Sequence, residues 1–238
     1  YPAASATTVC PNGGTEQTGA GAGVNCPAGI TGCDHGTHVA GIAAGNGAGA
    51  GQSFSGVARG ASVMAVQVFS RFGSSAQCGS LPAPCALTFS SDQIKGLERV
   101  YALSSTHQFA SVNMSLGGGL NSTYCDDDPL KPIIDNLRSV GIATVIASGN
   151  DGSVSQIGKP SCISSAVSVG STTDSDQVSS FSNAAPILSL FAPGSSINSS
   201  VPGLLSSPSC GKMHSCRSMA HLYSSISGST PSKPRKPM

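Results

Sequence analysis

Apolar residues recur along the chain in two patterns, one typical of helices and one typical of buried strands. Helical spacing follows Ser91-Asp92 and Asp128-Pro129, two pairs that are typical of helix starts. Continuous apolar runs, which favour buried strands, occupy residues 62–69, 109–114, 142–147, 166–169 and 187–191. Because strands alternate with helices, the pattern predicts an α/β domain with a parallel sheet. In such sheets active residues gather at the carboxyl ends of the strands, here the loops after Met114 and Ala147.

The segments between these elements are predicted to be loops. They are residues 1–34, the glycine-rich residues 45–51, and residues 73–89, where a local disulfide between Cys78 and Cys85 is a candidate. Beyond Leu205 the alternating pattern stops, and residues 206–238 are dominated by Ser, Pro, Lys and Cys. We therefore expect one domain over residues 1–205, followed by a disordered segment over residues 206–238.

Composition narrows the possible functions. Charged residues make up only 10% of the chain and its net charge is +1, which gives no basic surface for nucleic acid or for a membrane. The apolar runs are far shorter than the roughly 20 residues that a transmembrane helix needs. Nine cysteines without any Cys-x-x-Cys pair favour a disulfide framework in an oxidising compartment, hence a secreted protein. The odd count leaves one thiol unpaired or with a partner outside this chain.

The sequence HGTHVAGI at residues 35–42 is the strongest candidate for chemistry. Small residues after His35 favour a helix that packs closely against its neighbour, while the imidazole faces a site and acts as a catalytic base. One alternative is an ordinary histidine of the surface or core. Another is a metal pair, because His35 and His38 are spaced i,i+3, although no Glu or Cys lies at a supporting spacing.

Two loops at strand ends supply further candidates. Asn150, in the sequence ASGNDG, directly follows a predicted strand, and its carboxamide could donate a hydrogen bond to a developing oxyanion. The alternative is a plain Asn/Gly turn. The sequence Ser115-Leu116-Gly117-Gly118 ends another strand and would leave backbone groups open to pair with a substrate strand. Here the alternative is a simple turn.

Taken together and in this order, these segments resemble the subtilisin-like serine peptidases (subtilases, peptidase family S8). Further matching segments lie downstream, and the resemblance runs from about His35 to Gly203. They are SFSN at 180–183, APG at 192–194 and VPG at 201–203. The resemblance implies a three-layer α/β fold, with a mostly parallel central sheet flanked by helices. It also implies a secreted, monomeric endopeptidase that hydrolyses polypeptide substrates through an acyl-enzyme, with no nucleic-acid or membrane partner.

The resemblance also implies residue roles. His35 would be the base and then the acid, and Asn150 would be the oxyanion donor. The backbone of the substrate would pair with Ser115, Leu116 and Gly117. The pocket for the residue before the scissile bond would be lined by Ala147, Ser148 and Gly149. Cys125 and Cys162 flank this region and are candidates for a disulfide. Calcium is a candidate ligand through the resemblance, but no ligand set stands out and no other cofactor is expected.

Two members of the catalytic set depart from the family pattern. The family's Asp lies on a first strand well before the histidine, whereas the only Asp before His35 is its neighbour Asp34, which we interpret as a surface loop residue. We therefore expect the first strand to be missing and residues 1–205 to be a partial catalytic domain. The best match to the family's GTSMA motif is CRSMA at 216–220, which makes Ser218 the candidate nucleophile. The competing hypotheses are an inactive peptidase and a non-catalytic remnant that binds peptide along residues 115–118.

Overall fold

The computed structural model of the chain describes residues 6–48 and 51–202. These residues form four helices and nine strands. The helices are α1 (His35–Ala44), α2 (Ser75–Cys78), α3 (Ser90–Leu103) and α4 (Lys131–Ser139). The strands are β1 (Ala6–Thr7), β2 (Phe69–Phe72), β3 (Cys85–Thr88), β4 (Ser111–Met114), β5 (Gly118–Asn121), β6 (Ala143–Ala147), β7 (Ile157–Lys159), β8 (Val167–Thr172) and β9 (Leu190–Pro193).

Four of the strands form a parallel sheet in the order β4-β6-β8-β9. Met114 at the end of β4 lies opposite Ile146, next to the end of β6, so the loops after these two strands leave the sheet at the same edge. The chain passes from β4 to β6 through α4, which is the crossover connection that parallel strands require. The predicted α/β class with a parallel sheet and flanking helices is confirmed.

The core follows from the alternation of side chains along the strands. Ile146 on β6 packs on one face with Ile134 and Leu137 of α4, and all three are buried. Its neighbour Val145 points to the other face, where it packs with Val169 of β8. The apolar side chains of α4 repeat every 3.6 residues and those on one face of β6 repeat every 2 residues. The two apolar faces therefore pack against each other, as the sequence pattern predicts. The core fixes the strand ends from which the functional loops depart.

Outside the parallel sheet, two small antiparallel sheets join β1-β2-β3 and β5-β7. Within the part of the chain that the structure describes, three disulfides connect Cys26 with Cys33, Cys78 with Cys85, and Cys125 with Cys162. The two candidate pairs named from the sequence are therefore confirmed, and the first pair is new. Among the described residues Cys10 is free. None of the helices within residues 6–48 and 51–202 is long and apolar enough to cross a membrane.

Three predictions about elements are wrong. Residues 1–34 were expected to be a loop, yet they contain β1, which pairs with β2. The apolar run at 62–69 forms no strand before Phe69, and its residues 62–67 are exposed. Val66 and Val68 do approach Gly96 of α3, but apolar composition alone supplies no ladder partner for the run. Residues 73–89 were expected to be a loop, yet they contain α2 and β3. Backbone pairing of β3 with β2 overrides the two prolines that precede it.

Candidate active site

His35 is the first residue of α1, in the position that the sequence predicts. Asp34 precedes it as the N-cap residue and makes no side-chain cap hydrogen bond. Three backbone hydrogen bonds hold the carboxyl end of α1 to residues 56–58, including Val57 N to Ile42 O and Ala58 N to Ala43 O. The helix that presents His35 is therefore anchored at its far end.

The middle of α1 packs closely against residues 197–200, which follow β9. The hydroxyl of Ser199 donates to the carbonyl oxygen of His38 over 2.7 Å. The imidazole of His38 makes a hydrogen bond with the backbone of Ile197. A Cβ on Gly41 would overlap Ser199 and Ser200, so only glycine allows this approach. The small residues after His35 thus serve the close packing that the sequence predicts.

Burial sets the protonation of both histidines. Loss of hydration lowers the pKa of His35 below its usual value, although the charge of Asp34 opposes this shift and His38 adds to it. Burial also lowers the pKa of His38, against the effects of its hydrogen bond to Ile197 and of Asp34. Both imidazoles are therefore neutral at pH 7, which is the form in which a histidine can accept a proton.

Asn150 lies in the loop that begins directly after β6. Gly149 has a φ of 110°, in the region that favours glycine, and a Cβ there would also overlap the side chain of Asn183. Asn150 itself is partly exposed. Together with residues of β8 and with Ser182, the loop lines a crevice that is too narrow for a water molecule. The lining residues are Ala147, Ser148, Gly149, Asn150, Val169, Ser171 and Ser182.

Asn183 holds this loop from beneath and is fully buried. Its Nδ2 donates to the carbonyl oxygen of Ser148 over 3.1 Å and to Oδ2 of Asp151 over 2.9 Å. Its Oδ1 accepts from the backbone N–H groups of Asp151, over 2.9 Å, and Ser153, over 3.1 Å. Every donor and acceptor of the carboxamide is therefore used. In the sequence, Asn183 is recognisable only as part of SFSN, and no local pattern there predicts its contact with the Asn150 loop.

The segment of Ser115, Leu116 and Gly117 follows β4 at the same edge of the sheet. Leu116 packs against the core, while Gly117 is exposed. Gly158 of β7 connects this region to the Asn150 loop, because its N–H donates to the carbonyl oxygen of Ser148 over 2.7 Å. A Cβ on Gly158 would lie 3.4 Å from the carbonyl oxygens of both Ser148 and Gly119. The two candidate substrate segments are thus neighbours.

The remaining candidates are the nucleophile Ser218 and the metal pair of His35 and His38. Ser218 and residues 206–238 lie outside the residues that the structure describes. Within residues 6–48 and 51–202, no group of three or more His, Cys, Asp or Glu side chains is arranged to hold a metal ion. The pair of His35 and His38 therefore has no third ligand of these types there.

Comparison with known proteins gives one consistent family. The family model described as the subtilase family, Peptidase S8, matches residues 30–232. Subtilisin E of Bacillus subtilis (strain 168) is 39% identical over 176 residues, which are 72% of this chain and 40% of that protein. Subtilisin-like protease 3 of Trichophyton equinum is 32% identical over 189 residues, which are 76% of this chain and 41% of that protein. The chain thus spans about two fifths of the length of these two relatives.

A solved structure agrees with the sequence relatives. The crystal structure of a cold adapted subtilisin-like serine proteinase superposes with a TM-score of 0.52 at 32% sequence identity. The match covers 71% of this chain and 51% of that chain. The likeness therefore extends over most of the described residues and confirms the predicted type of fold.

Proposed function

Because the chain belongs to the subtilase family, we propose that it is a secreted serine endopeptidase that hydrolyses peptide bonds through an acyl-enzyme. The observation that carries the proposal is the pairing of two loops at one sheet edge. Asn150 follows β6, Gly117 follows β4, and the N–H of Gly158 bonds to Ser148 between them. An oxyanion donor and a strip of backbone for the substrate would then lie side by side.

Each residue has a role in the proposed reaction. A peptide would pair with the backbone of Ser115, Leu116 and Gly117, as extended peptides do at sheet edges. Ala147, Ser148 and Gly149 would line the pocket for the residue before the scissile bond. The carboxamide of Asn150 would donate to the oxygen of the tetrahedral intermediate.

His35 and Ser218 would carry out the covalent step. The neutral imidazole of His35 would take the proton of the Ser218 hydroxyl while the serine oxygen attacks the peptide carbonyl, and would then pass that proton to the leaving amine. Water would then attack the acyl-enzyme while His35 takes its proton, and that proton would pass to the Ser218 oxygen as the ester bond breaks and the new carboxyl group leaves. The lowered pKa of His35 supports this role because it keeps the imidazole ready to accept a proton at neutral pH.

Two further parts of the proposal concern organisation and location. We assign the catalytic domain to residues 1–205 and a separate segment to residues 206–238. Three disulfides support an oxidising compartment, and a relative from Thermus sp. is described as an extracellular serine proteinase. Calcium is a candidate ligand on the family resemblance alone. We expect a monomer that acts on polypeptides and has no nucleic-acid or membrane partner.

A second function is favoured by the sequence around Ser218. Cys216 and Arg217 stand where the family pattern has Gly-Thr. If the serine cannot be activated there, the chain would be a peptide-binding remnant that uses residues 115–118 without cleaving its ligand. Loss of a triad member lowers activity by orders of magnitude, so the two functions are easily separated.

A fluorophosphonate probe, which labels activated serines, tests the choice on the full chain. We expect labelling at Ser218, mapped by mass spectrometry, that is lost in Ser218→Ala and in His35→Ala and is unaffected by a chelator. Absence of labelling in the folded wild-type chain, with retained binding of an extended peptide, would establish the remnant instead. Labelling that a chelator abolishes and that added calcium does not restore would favour a metal role for His35 and His38.

A further inference from the structure

Asn183 touches almost every part of the Asn150 loop, although it lies about 30 residues further along the chain. Besides its side-chain bonds, its backbone N–H donates to the carbonyl oxygen of Gly149 over 3.1 Å. Its own carbonyl oxygen accepts from the hydroxyl of Ser148 over 2.8 Å. Within residues 148–151, Asn150 is thus the one residue that is not bonded to Asn183, and its two neighbours in the chain are both anchored.

We propose that Asn183 is a positioning residue that holds Asn150 in place through Ser148, Gly149 and Asp151. The proposal rests on the proposed function, since Asn150 matters as an oxyanion donor only in a peptidase. Such a donor accelerates a reaction because it is already aimed before charge develops, and a misplacement of about 1 Å can cost about 100-fold in rate. Loops are mobile by default, so this loop needs a rigid support.

The buried carboxamide of Asn183 meets that need better than other side chains of its size. Backbone N–H groups of Asp151 and Ser153 donate to this carboxamide, while the carbonyl oxygen of Ser148 and the carboxylate of Asp151 accept from it. Asn supplies both from one planar group. Asp has the same shape but supplies only acceptors, and it would bring a second carboxylate to within about 3 Å of Asp151.

This difference allows a test with isosteric variants of the full chain. In Asn183→Asp the two donors are lost and the carboxylates repel each other, so we expect the loop to open. In the double variant Asn183→Asp/Asp151→Asn, the new amide at 151 can donate to the carboxylate at 183, so the contact is restored with reversed polarity. The contact to the Ser148 carbonyl stays broken, and we therefore expect partial recovery.

Amide hydrogen exchange and the side-chain NH₂ signals of Asn150 report on the loop without any need for activity. Asn183→Asp should raise exchange at Asp151 and Ser153 at least tenfold relative to global unfolding and should shift the Asn150 signals toward those of a free amide. The double variant should lie closer to the wild type. The control is Ser168→Ala, which removes the two hydrogen bonds that the buried Ser168 hydroxyl makes with Ser189 and should leave the loop unchanged.

The second measurement is steady-state kinetics, in which kcat is calculated per active site and the number of active sites is determined by titration. Asn183→Asp should lower kcat about 10- to 100-fold with KM within about threefold, and the double variant should recover part of kcat. A purely structural role would reduce the number of active sites and leave kcat per site unchanged.

The proposal is overturned if the exchange and the Asn150 signals do not change, or if the double variant is no closer to wild type than the single one. A wild-type chain without turnover refutes the proposed function alone, because the exchange data still decide the role of Asn183.

Discussion

The hydroxyl of Ser199 donates a 2.7 Å hydrogen bond to the carbonyl oxygen of His38, across a separation of 161 residues. This bond joins the end of the described chain to α1, the helix that begins with His35. Gly41 allows the approach, since any Cβ there would overlap Ser199 and Ser200. The position of the candidate base therefore depends on residues that are far from it in sequence.

Replacement of Gly41 by alanine should separate α1 from residues 199–200. Overpacking of a close contact typically costs about 1–3 kcal/mol, and we expect Gly41→Ala to lower the free energy of unfolding by that amount. Gly36, one turn earlier on the same helix, has open space around it, so Gly36→Ala should be neutral or stabilising by up to about 1 kcal/mol. Urea denaturation of both variants checks the difference. If both variants changed the free energy of unfolding equally, the close approach at Gly41 would make no contribution to stability.

Stability should depend on pH through the two histidines of α1. Burial lowers the pKa of both His35 and His38 in the folded chain, so the unfolded chain binds protons more tightly. Their contribution is fully present above the unfolded value of about 6.5 and is lost as the pH falls below it. Urea denaturation between pH 8 and pH 5 should show this loss, and His35→Gln should reduce the slope. An identical slope in wild type and variant would contradict the burial of His35.

Replacement of Asn150 should affect the transition state more than substrate binding. Loss of one oxyanion donor costs about 100- to 1,000-fold in kcat, a magnitude that comes from a subtilisin, and we expect Asn150→Ala to show it with little change in KM. Asn136 on α4 is exposed and serves as the control, since Asn136→Ala should leave both constants unchanged. Peptide hydrolysis by the two purified variants measures the effect. A change in KM alone would instead make Asn150 a ground-state contact.

The disulfide between Cys125 and Cys162 should contribute strongly to stability. It closes a loop of 37 residues that contains α4 and β6. Loop-closure entropy predicts that its removal in Cys125→Ala/Cys162→Ala costs about 4 kcal/mol. Among residues 6–48 and 51–202, Cys10 is the cysteine outside a disulfide, so Cys10→Ser is the control and should have little effect. Urea denaturation of the three proteins under non-reducing conditions gives the comparison, and a loss similar to that of Cys10→Ser would contradict the entropic account.

The elements that were predicted from sequence are those with a clear local pattern. Ile133, Ile134 and Leu137 recur at helical spacing, and the structure buries all three on α4. β6 also follows its apolar run, and α1 begins at His35. The run at 62–69 has the same composition as a buried strand, but burial depends on a neighbouring strand that the run itself does not encode. Local pattern therefore predicts an element better than it predicts the partner of that element.

The candidate site shows the same limit. His35 and Asn150 could be predicted as site residues because each lies in a short motif whose residue types suit a catalytic role. The role of Asn183 could not be read from SFSN, because its partners Ser148 and Asp151 lie more than 30 residues away. Long-range hydrogen bonds leave no periodic trace in a sequence. What was missed is therefore the support of the loop rather than the loop itself.

The exposed run at residues 62–68 has a consequence for the behaviour of the protein in solution. It contains no charge and no proline, it is rich in valine, and Val63, Met64 and Val66 are 40–49% exposed. Short segments of this kind readily stack with identical segments of other chains into cross-β assemblies. In the described residues this run belongs to no sheet. Concentrated solutions should therefore begin to aggregate at this run, and a single lysine at Val63 should delay the onset.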